Sequence, residues 1–312
     1  MNILLTGAAG QLGSELLPLL SAFGRVVATD RGTPDNAGKD WIGLDLSNAG
    51  KLEILLNRLR PELIVNTAAY TAVDQAETDP EISFEINATL PARLAGWAKR
   101  NNARLIHYST DYVFNGKSDV AYLEADTPDP QNVYGDSKLA GETAIGASGC
   151  RHAILRTSWV YSSHGKNFVL SMLRLARKGL ALKIVNDQRG CPTWARNLAL
   201  ASSAVIQKWQ TADFEDGNIQ NYGGVFHYCD DRVLSWYDFA HKIFSLAVDA
   251  GVLQKAPELT PVPSSQFPQP AERPKWSVLN AQRIGDAFDI HPASFEQSLQ
   301  TVINKIAGRN SI

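Results

Sequence analysis

Short continuous apolar runs and amphipathic stretches take turns along the first half of the chain. Asn2–Thr6 is the first such run and Arg25–Thr29 the second. Glu62–Asn66, Arg104–Ser109 and His152–Thr157 follow in the same style. Continuous apolar runs without alternation read as strands buried on both faces. Between them, apolar residues recur at helical spacing near 50–59, 80–101 and 135–147, and Leu12, Leu16, Leu17 and Leu20 mark a helix after the first strand. Strands alternating with helices predict an α/β fold built on a doubly wound parallel sheet with right-handed crossovers. The alternation stops beyond Trp159. Helical patterns recur near 166–178, 194–208, 235–250 and 292–307, with one strand-like run over 224–229. Pro257, Pro261, Pro263, Pro268, Pro270 and Pro274 exclude regular helix over 256–274, while Phe267 and Trp276 predict an ordered wrap there. The expected division is a nucleotide-binding sheet domain over 1–160 and a smaller α+β substrate domain over 161–312. A segment around 194–230 is expected to return to the first.

The first strand leads into Gly7-Ala-Ala-Gly10-Gln11-Leu12-Gly13 and then the leucine-marked helix. Strand, glycine loop, helix is the context that gives such a motif meaning. Glycines let backbone amides approach a pyrophosphate at the positive end of the helix. The spacing is G-x-x-G-x-x-G. Asp30 closes the second strand, 17 residues past Gly13, where an acid can hold an adenosine ribose hydroxyl. Arg31 follows at once and suits a 2′-phosphate, so NADH and NADPH both remain open.

Tyr134 and Lys138, four apart in a helical stretch, project from one face. An ammonium one turn from a phenol favours the phenolate and is expected to lower its pKa, which would let it exchange a proton with an alcohol or carbonyl oxygen. A solvated polar helix face is the plainer alternative. Ser109, Thr110 and Asp111 follow the Arg104–Ser109 run, at the strand end where open α/β sheets bind ligands; ordinary turn chemistry explains the same residues. Small residues in Asn66-Thr-Ala-Ala-Tyr70 let backbone pass close to a cofactor. Asp45 can face an adenine amine or serve as a loop acid. Thr193 reads as a helix cap, in a loop that can also border a ligand.

Composition narrows the class. Charged residues make up 20% and the net charge is −2, so neither nucleic acid nor an anionic membrane is indicated as a partner. No apolar stretch is long enough to span a bilayer, and a strand beginning at residue 2 leaves no expected signal peptide. Cys150, Cys191 and Cys229 are odd in number and far apart, and no histidine pair is spaced for zinc. A reducing cytoplasm fits this usage.

Together these motifs resemble the extended short-chain dehydrogenase/reductase superfamily, whose nucleotide domain is Rossmann-like. Within it they are most similar to the dTDP-4-dehydrorhamnose reductase family. The likeness is carried by Gly7-x-x-Gly10-Gln11-Leu12-Gly13, Val65–Asp74, His107–Phe114, Asn132-Val-Tyr-Gly-x-Ser-Lys138, Arg156–Tyr161, Asn186-Asp-Gln-x-Gly190 with Pro192-Thr193, and Arg273-Pro274. It implies NAD(P)H-dependent reduction of a 4-keto sugar nucleotide for cell-envelope polysaccharide. Thr110, Tyr134 and Lys138 would form the catalytic triad. Thr110, Asp111 and Trp159 would meet the substrate, with Arg273 and Lys166 as candidates for its diphosphate. Gln11, Leu12, Asp30, Asp45, Leu46, Ala69, Tyr70, Thr71, Tyr108, Tyr134 and Lys138 would lie at the cofactor.

One departure stands out. Relatives that dimerise around a divalent metal use glutamates, and Glu15 and Glu296 match two of those positions. The third is Arg196, a cation among would-be ligands. The expectation is therefore no metal, metal-independent activity, and a monomer or homodimer. Two other readings stay open. One is a different sugar-nucleotide reductase or epimerase of the superfamily. The other is a non-catalytic module resembling the regulatory subunit of methionine adenosyltransferase.

Overall fold

The computed structural model describes residues 1–35, 38–211 and 222–310. Its centre is a seven-stranded sheet. Six strands come from the first half: β1 (Asn2–Thr6), β2 (Arg25–Asp30), β3 (Trp41–Gly43), β4 (Leu63–Asn66), β5 (Arg104–Thr110) and β6 (Arg151–Thr157). The seventh, Gly224–His227, pairs with β6. The order is β3-β2-β1-β4-β5-β6 and then the seventh strand, and every pairing is parallel. Chain order reverses between β1 and β4. A crevice opens beyond the carboxyl ends of the strands at such a reversal.

Both faces of the sheet are covered, which is why β1 and β4 are buried almost end to end. On one face α1 (Gln11–Leu20) packs against the helix Ala195–Thr211, joining Leu16 and Leu20 to Leu198, Val205 and Trp209. On the other lie α2 (Ala49–Leu59) and α5 (Leu90–Arg100), which bury Leu52, Leu56, Leu94 and Trp97. The helix α6 (Val133–Ser148) follows the loop after β5.

The helical stretch expected over 80–101 is not one helix. After the short α3 (Val73–Ala76), α4 (Pro80–Phe84) gives way to a π-turn over Glu85–Thr89 before α5 begins. Pro91 has no N–H to return to the Asn87 carbonyl, so the regular ladder fails at that point. The strand β3 went unread in the sequence because three residues carry no periodicity.

The remainder builds a second core around Tyr161, Phe239, Phe295 and Leu299. Helices Phe168–Ala176, Trp236–Asp249 and Phe295–Asn310 supply its walls. The proline-rich stretch is ordered but not wholly irregular, since Leu259–Val262 pairs in parallel with Leu182–Val185. Thr193 does not cap the following helix: its hydroxyl donates to the Cys191 carbonyl, and the Asp230 carboxylate accepts from the Trp194 amide instead. Among the described residues no helix is long and apolar enough to cross a membrane.

Candidate active site

The switch-point crevice is a cleft of about 640 Å³. Gly7 and Gly10 form its floor, Asp30, Arg31, Asp45 and Leu46 one wall, and Ala69 and Tyr70 the other. Gly7 has φ +67°, and a Cβ there would stand 2.6 Å from the Ala68 amide nitrogen, so this position admits only glycine. The cap of α1, Gly10, offers no side-chain bond to the helix, leaving its first amides for an anion. Asp30 accepts from the Ala9 amide at 3.1 Å and the Arg31 amide at 2.8 Å, bracing the glycine loop. The Ser47 hydroxyl and amide hold the Asp45 carboxyl below the usual carboxylate range. A dinucleotide fits this lining.

The side chains of other residues expected at the cofactor are engaged away from the cleft, although Gln11, Leu12 and Gly13 supply the first amides of α1. Gly13 is inside α1, packed against the Gly7 carbonyl, and Leu12 packs on the core. Gln11 turns to the second half of the chain, accepting from Asn167 Nδ2 at 2.8 Å and donating to the Lys166 carbonyl at 3.3 Å. Thr71 is on the exposed loop after Tyr70. The Tyr108 phenol is committed to Ser202 Oγ at 2.7 Å, so only its backbone faces the site.

Asn87 was not anticipated. It is fully buried in the π-turn and grips Tyr70 from both sides: the Tyr70 amide donates to Oδ1 at 2.9 Å, and Nδ2 donates to the Tyr70 carbonyl at 3.0 Å. This holds the cleft wall in place. An asparagine inside a helical pattern carries no signal of such a role.

One strand over, the end of β5 meets the first turns of α6. Asn132 caps that helix, accepting from the Gly135 amide at 2.8 Å, and its Nδ2 donates to the Glu272 carbonyl at 2.7 Å. Tyr134 is thus in the first turn, with its ring edge-on to Tyr112 at 5.6 Å between centroids. Burial pushes the Tyr134 phenol up to about 12, against a hydrogen bond with Thr110 that lowers it; the Asp111 charge adds to the rise. The lowering expected of Lys138 does not decide the matter, because burial of the phenol outweighs it; Lys138 Nζ itself donates to the Tyr108 carbonyl at 2.6 Å. Burial brings Lys138 itself down to about 8, opposed by Glu142.

Thr110 Oγ1 donates to Asp111 Oδ1 at 3.0 Å. Burial lifts the Asp111 carboxyl to about 6, although the Ser277 and Thr110 hydroxyls pull the other way. Ser277 leads to Trp159. A Cβ on Gly190 would lie 2.6 Å from the Trp159 ring and 2.8 Å from Ser277 Oγ, so glycine makes room for that indole. Trp159 sits at φ +46° and stacks on Trp236, with ring centroids 3.4 Å apart and planes 6° from parallel. Trp236 was not foreseen; nothing marks a helix-start tryptophan as the partner of a distant one.

Arg273 lines a separate cavity of about 450 Å³ with Lys117, Gln188 and Lys275. Its guanidinium is held by Asp74, with Nη1 to Oδ1 at 2.9 Å and Nη2 to Oδ2 at 2.8 Å. Lys166 is exposed beside the Gln11 contact. Arg196 lies 3.7 Å from Glu15, and Arg232 lies 3.2 Å from Glu296, so both glutamates face cations.

Comparison with known proteins agrees with this fold. The dTDP-4-dehydrorhamnose reductase of Escherichia coli strain K12 is 39% identical over 306 residues, 98% of each chain. A crystal structure of a dTDP-4-dehydrorhamnose reductase from Clostridium acetobutylicum superposes with TM-score 0.85 at 34% identity, covering 98% of this chain and 99% of that one. Another, from Bacillus anthracis in complex with NADP, does so with TM-score 0.82 at 31% identity, covering 97% and 99%. The family model described as the RmlD substrate binding domain matches residues 1–307, and the chain belongs to that family.

Proposed function

We propose that the protein reduces the C4 keto group of dTDP-4-dehydro-L-rhamnose to dTDP-L-rhamnose, with NADPH or NADH as reductant. What supports this is Thr110 at the end of β5 next to Tyr134 in the first turn of α6, with Lys138 one turn further along that helix, one strand over from a glycine-floored cleft that suits a dinucleotide. A bound NAD(P)H supplies the hydride. Gly7, Gly10, Asp30, Arg31, Asp45, Leu46, Ala69 and Tyr70 would hold it along the cleft.

The chain's own residues manage the proton and the orientation. A phenol near 12 keeps its proton at neutral pH, so Tyr134 is poised as a general acid toward the oxygen that gains charge. Thr110 holds the phenol by its hydroxyl and takes its own direction from Asp111. Lys138 presents a positive charge below about pH 8, which stabilises developing anion on the phenol or on the substrate. The Trp159 indole, backed by Trp236, offers an apolar face to the sugar. Residues 161–312, apart from the segment that rejoins the sheet, would form the substrate side. Three free, buried cysteines suit a reducing cytoplasm.

The test is oxidation of NADPH by the purified protein with dTDP-4-dehydro-L-rhamnose, wild type against Tyr134→Phe. Loss of the phenol hydroxyl is expected to cost on the order of a hundredfold in kcat. No turnover by the wild type, or full turnover by the variant, would reject the assignment.

We also propose that activity needs no divalent ion shared between subunits. The support is the Arg196 guanidinium at Glu15, which would repel a cation there. Equal rates with excess magnesium and after chelation are expected; a strict magnesium requirement would overturn this.

A further inference from the structure

Behind Lys138 lies a line of buried polar side chains that the mechanism above does not use. Lys138 Nζ is 3.4 Å from His107 Nε2. The other ring nitrogen, Nδ1, is 3.0 Å from the Asn66 amide, whose Oδ1 is 2.6 Å from the Thr6 hydroxyl. His107, Asn66 and Thr6 are register partners across β5, β4 and β1. None is more than 1% exposed, and Lys138 is 2% exposed. The row has no opening to water, so it does not conduct protons to solvent. Its chemistry acts on Lys138.

Burial and the Lys138 charge keep the His107 imidazole well below its ordinary pKa, hence neutral. A neutral imidazole has one N–H donor and one acceptor nitrogen, while an ammonium has donors only. Facing a charged Lys138, Nε2 must therefore be the acceptor and Nδ1 must carry the proton. Nδ1–H then needs the oxygen of Asn66, which a half-turn of the amide provides. With the Asn66 nitrogen toward Nδ1, the proton would sit on Nε2 and confront Nζ, an arrangement only an uncharged amine accepts. Other charges around Lys138 do not replace this acceptor. On α6, Glu142 is engaged by Arg156 in a paired contact, at 2.9 Å to Nε and 2.6 Å to Nη2, and Tyr134 is a neutral phenol. On β5, the Tyr108 phenol points away to Ser202; on β6, the charge of His152 adds a smaller lowering to His107.

Taking the catalytic reading of Lys138 as its basis, we propose that His107 is a positioning residue for that ammonium. It accepts from Nζ through Nε2, in the Nδ1–H tautomer, with the Asn66 oxygen turned to Nδ1 and the Asn66 nitrogen donating to the Thr6 hydroxyl. Together with the Tyr108 carbonyl it occupies two of the three N–H donors and leaves the third for the site.

Two experiments test this on the whole protein. Nitrogen-15 NMR of histidine-labelled wild type at pH 7, with the His107 signals assigned by their loss in His107→Gln, reads the tautomer without any turnover. Protonated Nδ1 and bare Nε2 are expected; the reverse tautomer would overturn the inference even if the enzyme is a good reductase. Kinetics supply the second. Removing the acceptor in His107→Leu should make Lys138 lose its proton earlier, moving the alkaline limb of kcat/KM down by about one pH unit or more. His107→Gln, whose Oε1 can accept in place of Nε2, should restore the limb. A folded His107→Leu variant with its limb unmoved would sink the role, since a merely structural histidine lowers activity alike at every pH. If that variant does not fold, the tautomer alone decides.

Discussion

The only proton of the Thr110 hydroxyl goes to Asp111, at 3.0 Å from Oγ1 to Oδ1. Once Tyr134 has given up its own proton, its oxygen competes with Asp111 for the proton of Thr110, which is how the Thr110 hydroxyl lowers the phenol's pKa. The second carboxylate oxygen, Oδ2, is buried without a close hydrogen bond, since the nearby Ser277 hydroxyl donates to the Arg189 carbonyl at 3.3 Å. A half-satisfied carboxylate at 2% exposure is costly to fold, and its place beside the reacting groups explains why it is tolerated.

That cost has a pH signature. The Asp111 carboxyl is raised from 3.8 to about 6 in the fold. Between those values the native state holds a proton that the unfolded chain has released, so stability falls as pH rises through the window and stays lower above it. Asp111→Asn removes this loss. Urea unfolding at pH 7 should show the variant more stable by on the order of 2–3 kcal/mol, with the difference shrinking below pH 4. A variant equally or less stable at pH 7 would contradict the burial argument. Activity should fall, since a neutral amide is a weaker acceptor for Thr110 than the carboxylate and can turn its NH2 toward it instead.

Cofactor choice turns on neighbours with different duties. Both Asp30 oxygens are bound to backbone amides, at 3.1 Å and 2.8 Å, so its charge is already engaged by the glycine loop. Arg31 is exposed on the cleft wall. Arg31→Ala is therefore expected to raise KM for NADPH about tenfold and leave KM for NADH within twofold, by loss of one charge-assisted contact. Equal effects on both cofactors would mean that Arg31 does not meet a 2′-phosphate.

Gly190→Ala probes the indole wall. The added Cβ meets the Trp159 ring at 2.6 Å and Ser277 Oγ at 2.8 Å, so one of them must shift. Overpacking of this kind costs about 1–3 kcal/mol. The expected kinetic result is a several-fold higher KM for the sugar nucleotide with KM for the cofactor unchanged. A higher KM for both would place the damage in the fold instead.

Sequence patterns carried much of the sheet. β1, β4, β5 and β6 were visible because buried parallel strands are apolar runs, and the glycine loop because only Gly7 tolerates its backbone and the nearby Ala68 amide. Residues whose work depends on a distant partner were invisible. Asn87 clamps Tyr70 across 17 positions, Trp236 backs Trp159 across 77, and Asp74 meets Arg273 across 199. His107 was in plain view within its motif but read as one residue of an apolar strand. The error over Tyr134 has a related root: helical spacing shows that Lys138 is on its face, but not how deeply the rest of the fold buries the phenol.

The Asp74 and Arg273 pair gives the last prediction. Its two parallel bonds join the start of α3 to the end of the proline-rich stretch, and Asp74 Oδ1 also accepts from the Ala271 amide at 3.3 Å. Asn132 pins the Glu272 carbonyl between them, so residues 271–273 are strapped over the first turn of the Tyr134 helix. With side chains 17% and 40% exposed, the pair adds little to global stability, about 1 kcal/mol or less. Its effect should be local. Asp74→Asn is expected to raise KM for the sugar nucleotide about tenfold while the melting temperature moves by only a few degrees. Arg273→Lys should resemble it, because a lysine cannot reproduce the two-pronged contact. If Arg273 instead leaves Asp74 to bind the substrate diphosphate, Asp74→Asn would free it and lower KM. The sign of that one change separates a strap from a ligand.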